Sequence, residues 1–333
     1  MRHVLAFVHL RPRPTARPPG GDSSRAAWAA GAGPGNTPMT IDMDSTVTEV
    51  HGHAKQGASY GYTRQLGYHP ILATRADTGE VLHVRQRKGS ANTGRGAERF
   101  VNEVVGRVRR AGAAGPLTMR ADSGFHSAKV IAACQRHDVR FSITVNQTQP
   151  VKAAIGAIDP AAWADIDYTV GGAAQVAETI YKGHRLIVRR TRLVGRQAAL
   201  WPDWRYHAFV TDRPGDATAL DADHRDHAVV ELAIRDWKEG AGLNHAPSGR
   251  FFANAAWVVL GSIAHNLLRW VAALGLAHHG PVVAKTLRRR FITVPGRITR
   301  SARRRRLHIP RRWPWAPAFL AALARLRSIR LTT

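Results

Sequence analysis

A mixed α/β sheet flanked by helices is the fold class predicted for this 333-residue chain. Short alternating apolar runs predict the sheet, two interleaved segments with apolar residues at helical spacing predict the packed helices, and renewed strand character in mid-chain predicts an insertion. The chain has material for a core: 44% hydrophobic residues, with nine Trp, nine Phe and six Tyr, offset the disordering effect of a net charge of +26.

Residues 1–37, rich in Gly, Pro, Ala and Arg without sustained periodicity, are expected to be a poorly ordered leader. The start has a short apolar patch but no small-residue cleavage site ahead of the prolines, which argues against a signal peptide. Order is expected from Met39. MTIDMD alternates as a strand, and Pro70–Asp77 and Glu80–Arg87 flank Thr78-Gly79 as a hairpin. Phe100, Val101, Val104, Val105 and Val108 mark a helix. Leu117–Asp122 reads as a strand, AKVIAACQRH as a helix and Val139–Asn146 as a strand, so residues 38–148 form the first part of a core. Residues 149–215 are strand-biased, best seen in ETIYKGHRLIVRRTRLV and RYHAFVTD, and read as a β-rich insertion. Helical periodicity at Ala217–Glu239 and Phe251–Leu276 completes the core over 216–280. Residues 281–333 are a basic tail with a short helix at Pro317–Ile329, and no internal repeat is present.

One cysteine, Cys134, excludes an intramolecular disulfide, argues against a thiolate zinc site, and fits a reducing, cytoplasmic compartment. The longest apolar run, Ala255–Ala264, is too short to cross a bilayer, so it reads as a buried core helix with no membrane partner. His265, Asn266 and Arg269 just after it read as structural or exposed. Of 49 basic residues 42 are Arg, and residues 281–333 hold 15 basic side chains and no acidic one. Such a field attracts a long polyanion, because each neutralised phosphate releases counterions. A GC-rich genome also enriches Arg and Ala, which is the plainer source of the same composition.

In so basic a chain, carboxylates at strand ends stand out. Asp42 and Asp44, two apart on a strand, share a face, and Asp44 ends it. Asp122 ends the strand MRAD, and Gly124 permits a tight turn into the next helix. Two such carboxylates on adjacent strands suit hard Mg²⁺, which prefers oxygen ligands. On the helix HRDHAVVELAIRDWKEG, His224, His227, Glu231 and Lys238 are spaced three, four and seven apart, along one helical face. Ordinary caps, turn aspartates and a solvated helix face fit the same spacing.

The strings IDMDSTVTEVHGHAKQGASYGYT, GYHPILATRADTGEVLH, RKGSANTGRGAERFV, MRADSGFHS and HAVVELAIRDWKEGAGLNHAPSGRFFANAAW resemble DDE-type transposases of bacterial insertion sequences, most nearly the family called IS thirteen-eighty. The likeness runs from about Ala27 to about Arg327. It implies a ribonuclease-H-like core with a β insertion ahead of the catalytic Glu. It implies that Asp44, Asp122 and Glu231 are the three catalytic, metal-holding carboxylates, with Mg²⁺ as cofactor, two ions in the site and Mn²⁺ able to substitute. Two ions about 3.5–4 Å apart can activate a water or 3′-hydroxyl and stabilise the leaving oxygen. The implied partners are double-stranded DNA at terminal inverted repeats, target DNA and a second protomer in a homodimer on DNA, and the implied location is nucleoid-associated. In the broader group a Tyr-x2-Arg-x3-Glu-x6-Lys signature surrounds the Glu. Here Glu231 and Lys238 match, while His224 and His227 replace the Tyr and Arg, which weakens the phosphate contact attributed to that pair.

Further DNA-contact candidates are Lys88, Asn92 and Arg95 in a polar Gly-rich loop, Trp201 and Trp204 near the end of the insertion, where an aromatic suits stacking on an unpaired base at a cleaved end, and Arg303, Arg304, Arg305 and Arg306 in the tail. A plain surface loop, aromatic packing and a solvated basic tail are the competing readings. Family members usually carry a longer region before the first catalytic strand, whereas 43 residues precede Asp44, so a truncated copy with impaired autonomous transposition is expected. Two alternatives stay open: a Mg²⁺-dependent nuclease of the same core without strand transfer, and an inactive DNA-binding remnant.

Overall fold

The computed structural model describes residues 23–52, 54–61, 63–168, 172–193, 204–278, 280, 282–301 and 304–329. In chain order the first part comprises α1 (Ser23–Ala27), β1 (Met39–Ser45), β2 (Thr48–Glu49), β3 (Ser59–Tyr60), β4 (Leu66–Tyr68), β5 (Ile71–Arg75), β6 (Val81–Arg85), α2 (Ala97–Ala111), β7 (Leu117–Ala121), α3 (Ala128–Arg136) and β8 (Val139–Thr144). Then follow α4 (Gln149–Gly156), β9 (Ala164–Asp165), β10 (Gly172–Tyr181), β11 (His184–Leu193), β12 (Arg205–Thr211), α5 (Ala217–Arg225), α6 (Val229–Gly240) and α7 (Phe251–Trp270). The tail adds α8 (Ala284–Leu287), β13 (Arg297–Ser301), β14 (Arg304–His308) and α9 (Ala316–Ser328).

The order β6-β5-β1-β7-β8-β12-β11-β10-β9 makes one large sheet. β1, β7 and β8 run parallel, and the hairpin β5–β6 adds antiparallel strands on one side. This mixed sheet, covered by helices on both faces, is the expected ribonuclease-H-like arrangement. Alternation on the parallel strands explains the layering. Ile41, Met43, Met119 and Ala121 face one way and pack with Phe100, Val101 and Val104 of α2 and Val130 of α3. On the other face, Leu72, Val81 and Val84 pack with Val230, Ile234 and Trp237 of α6 and Val258 of α7. Asp42, Asp44, Arg120 and Asp122 therefore look toward α5 and α6.

The structure corrects several expectations. The leader is structured from Ser23 onward. Trp28 is buried, its Nε1–H donating to both carboxylate oxygens of Glu80 at 3.0 Å, and Arg75 donates to the Ala32 carbonyl. Its low periodicity hid this, because one buried indole anchors the segment. The insertion opens with a helix, α4, and its strands extend the main sheet, since β12 pairs antiparallel with β8. The tail carries the β13–β14 hairpin, which its unbroken arginine content masked, as well as the expected helix.

Helix α7 departs most from expectation. Its polar residues are inside and many of its apolar ones outside: Asn254, Ser262, His265, Asn266 and Arg269 are buried, while Phe252 is 80% and Leu260 62% exposed. Length and composition alone would let Phe251–Gly275 cross a membrane, but these buried polar groups each have a task in the fold. Asn266 accepts from the Val81 N–H and donates to the Val81 carbonyl, both at 2.8 Å, closing the open edge of β6 as a neighbouring strand would. Arg269 donates to the Thr78 carbonyl and to Asp236, and Ser262 accepts from the Trp237 indole.

Glu80 joins three segments, accepting from Trp28 and, at 3.0 Å, from the Trp270 indole. Burial holds its carboxyl up to about 7, the two indoles and Arg75 opposing this only in part. A carboxyl raised in the folded state is held protonated there, so its stability contribution is full below its unfolded value of 4.5 and lost as pH rises toward 7. Relative to Glu80→Gln, wild type should lose on the order of 3 kcal/mol between pH 4.5 and 7.5. Urea unfolding of both proteins across that range checks this; a pH-independent difference would refute it.

Candidate active site

Strand register builds the site. In the parallel pair β1–β7, Asp42 stands beside Arg120 and Met43 beside Ala121, so the next step places Asp44 beside Asp122. One face of two adjacent strands thus carries an ion pair and, two residues further, an acid pair. Arg120 grips Asp42 with Nε at 2.8 Å and Nη2 at 3.0 Å, both side chains being nearly fully buried, and its remaining Nη1 donates to the Asp223 carbonyl at the end of α5. Asp42 also accepts from His227 Nδ1 at 2.9 Å.

Asp44 and Asp122 are half-buried and locally restrained. The Ser45 N–H donates to Asp44 at 2.6 Å, and the Gly124 N–H donates to Asp122 at 3.1 Å, so Asp122 caps the turn Ser123–Phe125. Burial, and then the charges of Asp122 and Glu231, raise the Asp44 carboxyl to about 6 against the Ser45 N–H and His227. Burial also raises Asp122, opposed by the Gly124 N–H and His227. Glu231, exposed on the first turn of α6, lines a cavity of about 290 Å³ with Asp44, Ser45, Thr46, Arg235, Lys238 and Asn244. The structure thus brings Asp122 and Glu231 each within electrostatic reach of Asp44.

The four spaced residues do not form one straight face. A single 3₁₀ turn at Asp226–Ala228 joins α5 to α6 with helical backbone on both sides, and its tighter winding shifts the face between His224 and Glu231. His224 points inward: its ring nitrogens bond Ser142 Oγ at 2.8 Å and Thr144 Oγ1 at 2.9 Å, and it stacks on Phe209 at 4.0 Å. Burial, with nearby His207, His227, Arg120 and Arg189, drives it down to about 2, so it stays neutral and offers no charge to phosphate. This corrects its expected DNA role. Lys238 does reach the cavity; its Nζ donates to the Val47 carbonyl at 2.8 Å, and burial lowers its pKa while Asp44 opposes that.

The loop with Lys88, Asn92 and Arg95 is exposed and packs on the Asp122 turn. A Cβ at Gly124 would meet the Thr93 methyl at 2.6 Å, so only glycine lets the loop lie this close. Asn92, Arg95 and Gly124 line an open cleft of about 770 Å³. Arg87, which sequence reasoning passed over, shapes this loop by donating to the carbonyls of His69, Asn92, Thr93 and Arg95. Nothing in the sequence separates Arg87 from 41 other arginines. Trp204, expected to stack on a base, instead meets Arg190 at 4.5 Å and Arg192 at 4.7 Å. Arg305 is exposed and Arg306 half-buried on β14, Arg304 lies on the same strand, and Trp201 and Arg303 fall outside the described residues. His265, Asn266 and Arg269 belong to the fold.

Does this donor set suit a metal? Two half-buried carboxylates, raised by burial and with Asp44 raised further by its neighbours' charges, are a natural place for a divalent cation. Among the described residues no group of three or more His, Cys, Asp or Glu is gathered closely enough to form a ready cage. Both facts fit Mg²⁺, which binds through one or two carboxylates, substrate phosphates and water rather than an all-protein cage.

Residues 30–331 match the model of the family described as transposase DDE domain group 1, and the chain belongs to that family. The fold is similar to that of the piggyBac transposase seen by cryo-electron microscopy in a synaptic complex with hairpin DNA, at a TM-score of 0.50 and 11% identity. That match covers 77% of this chain and 51% of the other, so the chain corresponds to about half of that protein. A search of curated proteins returns no match.

The Asp42–Arg120 pair should support this architecture. Arg120→Met leaves the buried Asp42 carboxylate with only His227 as a partner and should cost about 3–5 kcal/mol, whereas joint replacement with Asp42→Leu should cost much less. Chemical unfolding of the two variants tests this; equal losses would show that the pair is not coupled.

Proposed function

We propose that this chain is the catalytic part of a DNA transposase, cutting and joining phosphodiester bonds at the ends of a mobile element. The observation that carries the reading is that Asp44 on β1 feels the charges of Asp122, just past the end of the adjacent parallel strand β7, and of Glu231 on α6. Asp44 and Asp122 would hold divalent metal ions, Mg²⁺ or Mn²⁺, with Glu231 joining when DNA is bound. The metal supplies Lewis-acid activation of the attacking oxygen and charge stabilisation of the leaving one.

The protein's own groups do the positioning. Asp42 fixes His227 by its Nδ1, at the turn before Glu231, within electrostatic reach of both Asp44 and Asp122. Lys238 brings a cation to the wall of the Asp44 cavity, suited to a DNA-end phosphate. Asn92 and Arg95 border the cleft beside the Asp122 turn and, with Lys88 exposed on the same loop, suit the backbone of bound duplex. Arg303–Arg306 add sequence-independent attraction. The partners are terminal inverted repeats, target DNA and a second protomer.

Asp44→Asn, Asp122→Asn and Glu231→Gln should each lower metal-dependent cleavage by at least about 1,000-fold while DNA affinity stays within a few-fold. Duplexes bearing the flanking repeats, assayed for cutting and joining with Mg²⁺ or Mn²⁺, measure this. Cutting retained by any variant removes that residue from the centre; cutting without joining selects a simple nuclease; no cutting with DNA binding intact in wild type and variants selects a binding remnant.

A further inference from the structure

The insertion carries a second cationic surface whose chemistry is unlike the catalytic cavity. On one face of its sheet, the Arg190 guanidinium lies over Trp163 at 4.0 Å and over Trp204 at 4.5 Å, and Arg192 lies over Trp204 at 4.7 Å. Tyr206, paired with Arg190 across β11–β12, sits 6.2 Å from Trp163. Arg190 Nε donates to Gln175 at 2.7 Å, and among the described residues neither arginine is paired with a carboxylate. The opposite face shows the contrast: Arg189 and Arg225 also flank an aromatic, Tyr168, but both are answered by Asp221.

Two guanidiniums without a carboxylate partner lie over indoles. A guanidinium stacked on an aromatic keeps N–H groups around its rim for further acceptors and has less rotamer freedom left to lose on binding. Edges presented this way match phosphate oxygens in a bidentate fork.

Register locates the surface. Asp122 follows Ala121, which pairs with Ile143; Thr144 pairs with Phe209, and Phe209 with Ile187. Arg190 and Arg192 are three and five residues past Ile187, in the direction in which β7 runs to Asp122. They stand beyond the same strand ends as the catalytic pair but on the other face of the sheet, the one shared with Leu186 and Val188, so a duplex touching both must pass across those strand ends; they lie about 10–17 Å further out and about 14 Å to the side at three strand spacings. The separation is about 20 Å, or about six base pairs of duplex.

We propose that Arg190 and Arg192, buttressed by Trp163 and Trp204, form a DNA-backbone clamp that grips duplex about six base pairs from the bond being cut. The proposal rests on the transposase reading and reassigns Trp204 from stacking on a base to orienting arginines that bind phosphate.

The test uses the full chain and a repeat-end duplex, with anisotropy titrations from 50 to 200 mM salt. Replacing both with Arg190→Gln and Arg192→Gln should reduce the log-log salt slope by about 2 and weaken binding at 0.1 M salt by roughly 50-fold, each phosphate contact contributing about 0.9 to the slope. Arg190→Lys with Arg192→Lys should keep most of the slope. Ethylation of wild-type-bound DNA guards against a misfolded variant: blocking phosphates about six base pairs from the cut end should weaken binding to wild type. Wild type binding DNA with an unchanged slope in the double Gln variant, or without interference at those phosphates, overturns the clamp alone. Wild type that does not bind the duplex overturns the transposase reading, and the clamp with it.

Discussion

The parallel register of β1 against β7 is the constraint on which the rest of the site depends. It sets Asp42 beside Arg120 and, one pleat on, Asp44 beside Asp122. A slip of one residue by either strand would turn its two charged side chains into the apolar layer of α2 and α3 and leave the other two behind. The buried Asp42–Arg120 pair makes such a slip costly, because each charge would lose its partner in a low-dielectric interior. The ion pair also organises what lies above it: Arg120 reaches the end of α5, and Asp42 holds His227 at the turn into α6. The helix bearing Glu231 is thereby tied to the two strands bearing the aspartates.

Polar groups serve as the fasteners elsewhere too. The Glu80 carboxylate receives indole N–H groups from Trp28 and Trp270, joining the first described segment, the β5–β6 hairpin and the end of α7. Asn266 completes the edge of β6. In a chain with 49 basic residues, buried arginines are given work inside: Arg87 gathers the carbonyls of the cleft loop and Arg269 ties α7 to α6 and the hairpin. Other arginines nearer the surface pair with carboxylates, as Arg185 does with Glu178, whereas Arg190 and Arg192 lie over indoles and have no carboxylate partner among the described residues.

The strands of the parallel core, the hairpin and helices α2 and α3 were legible because their apolar residues follow period two or period 3.6 without interruption. The acid pair was legible because Asp44 and Asp122 end such strands. Arg120 was legible in principle: it precedes Asp122 by two, as Asp42 precedes Asp44, which is a signal of two charged rows on one sheet face. His224 misled because spacing along a helix does not say what that face meets, and folding sets His224 against Ser142, Thr144 and Phe209. Helix α7 misled because hydropathy averages over all its faces and does not say that the polar stripe is the one that meets the core.

By itself, then, the sequence determined the alternation of strands and helices and the overall positive field, and it singled out Asp44, Asp122 and Glu231 as candidates, since these depend on local periodicity, composition and motif order. Tertiary structure alone decided that Asp42 answers Arg120, that His224 lies neutral beneath the sheet, that Glu80 collects two indoles 242 residues apart in the chain, and that Trp204 holds arginines. The physical reason is the same in each case. A charged or polar side chain takes its role from the acceptor or donor that folding places within about 3 Å, and such partners are set by sheet register and helix packing rather than by neighbours along the chain.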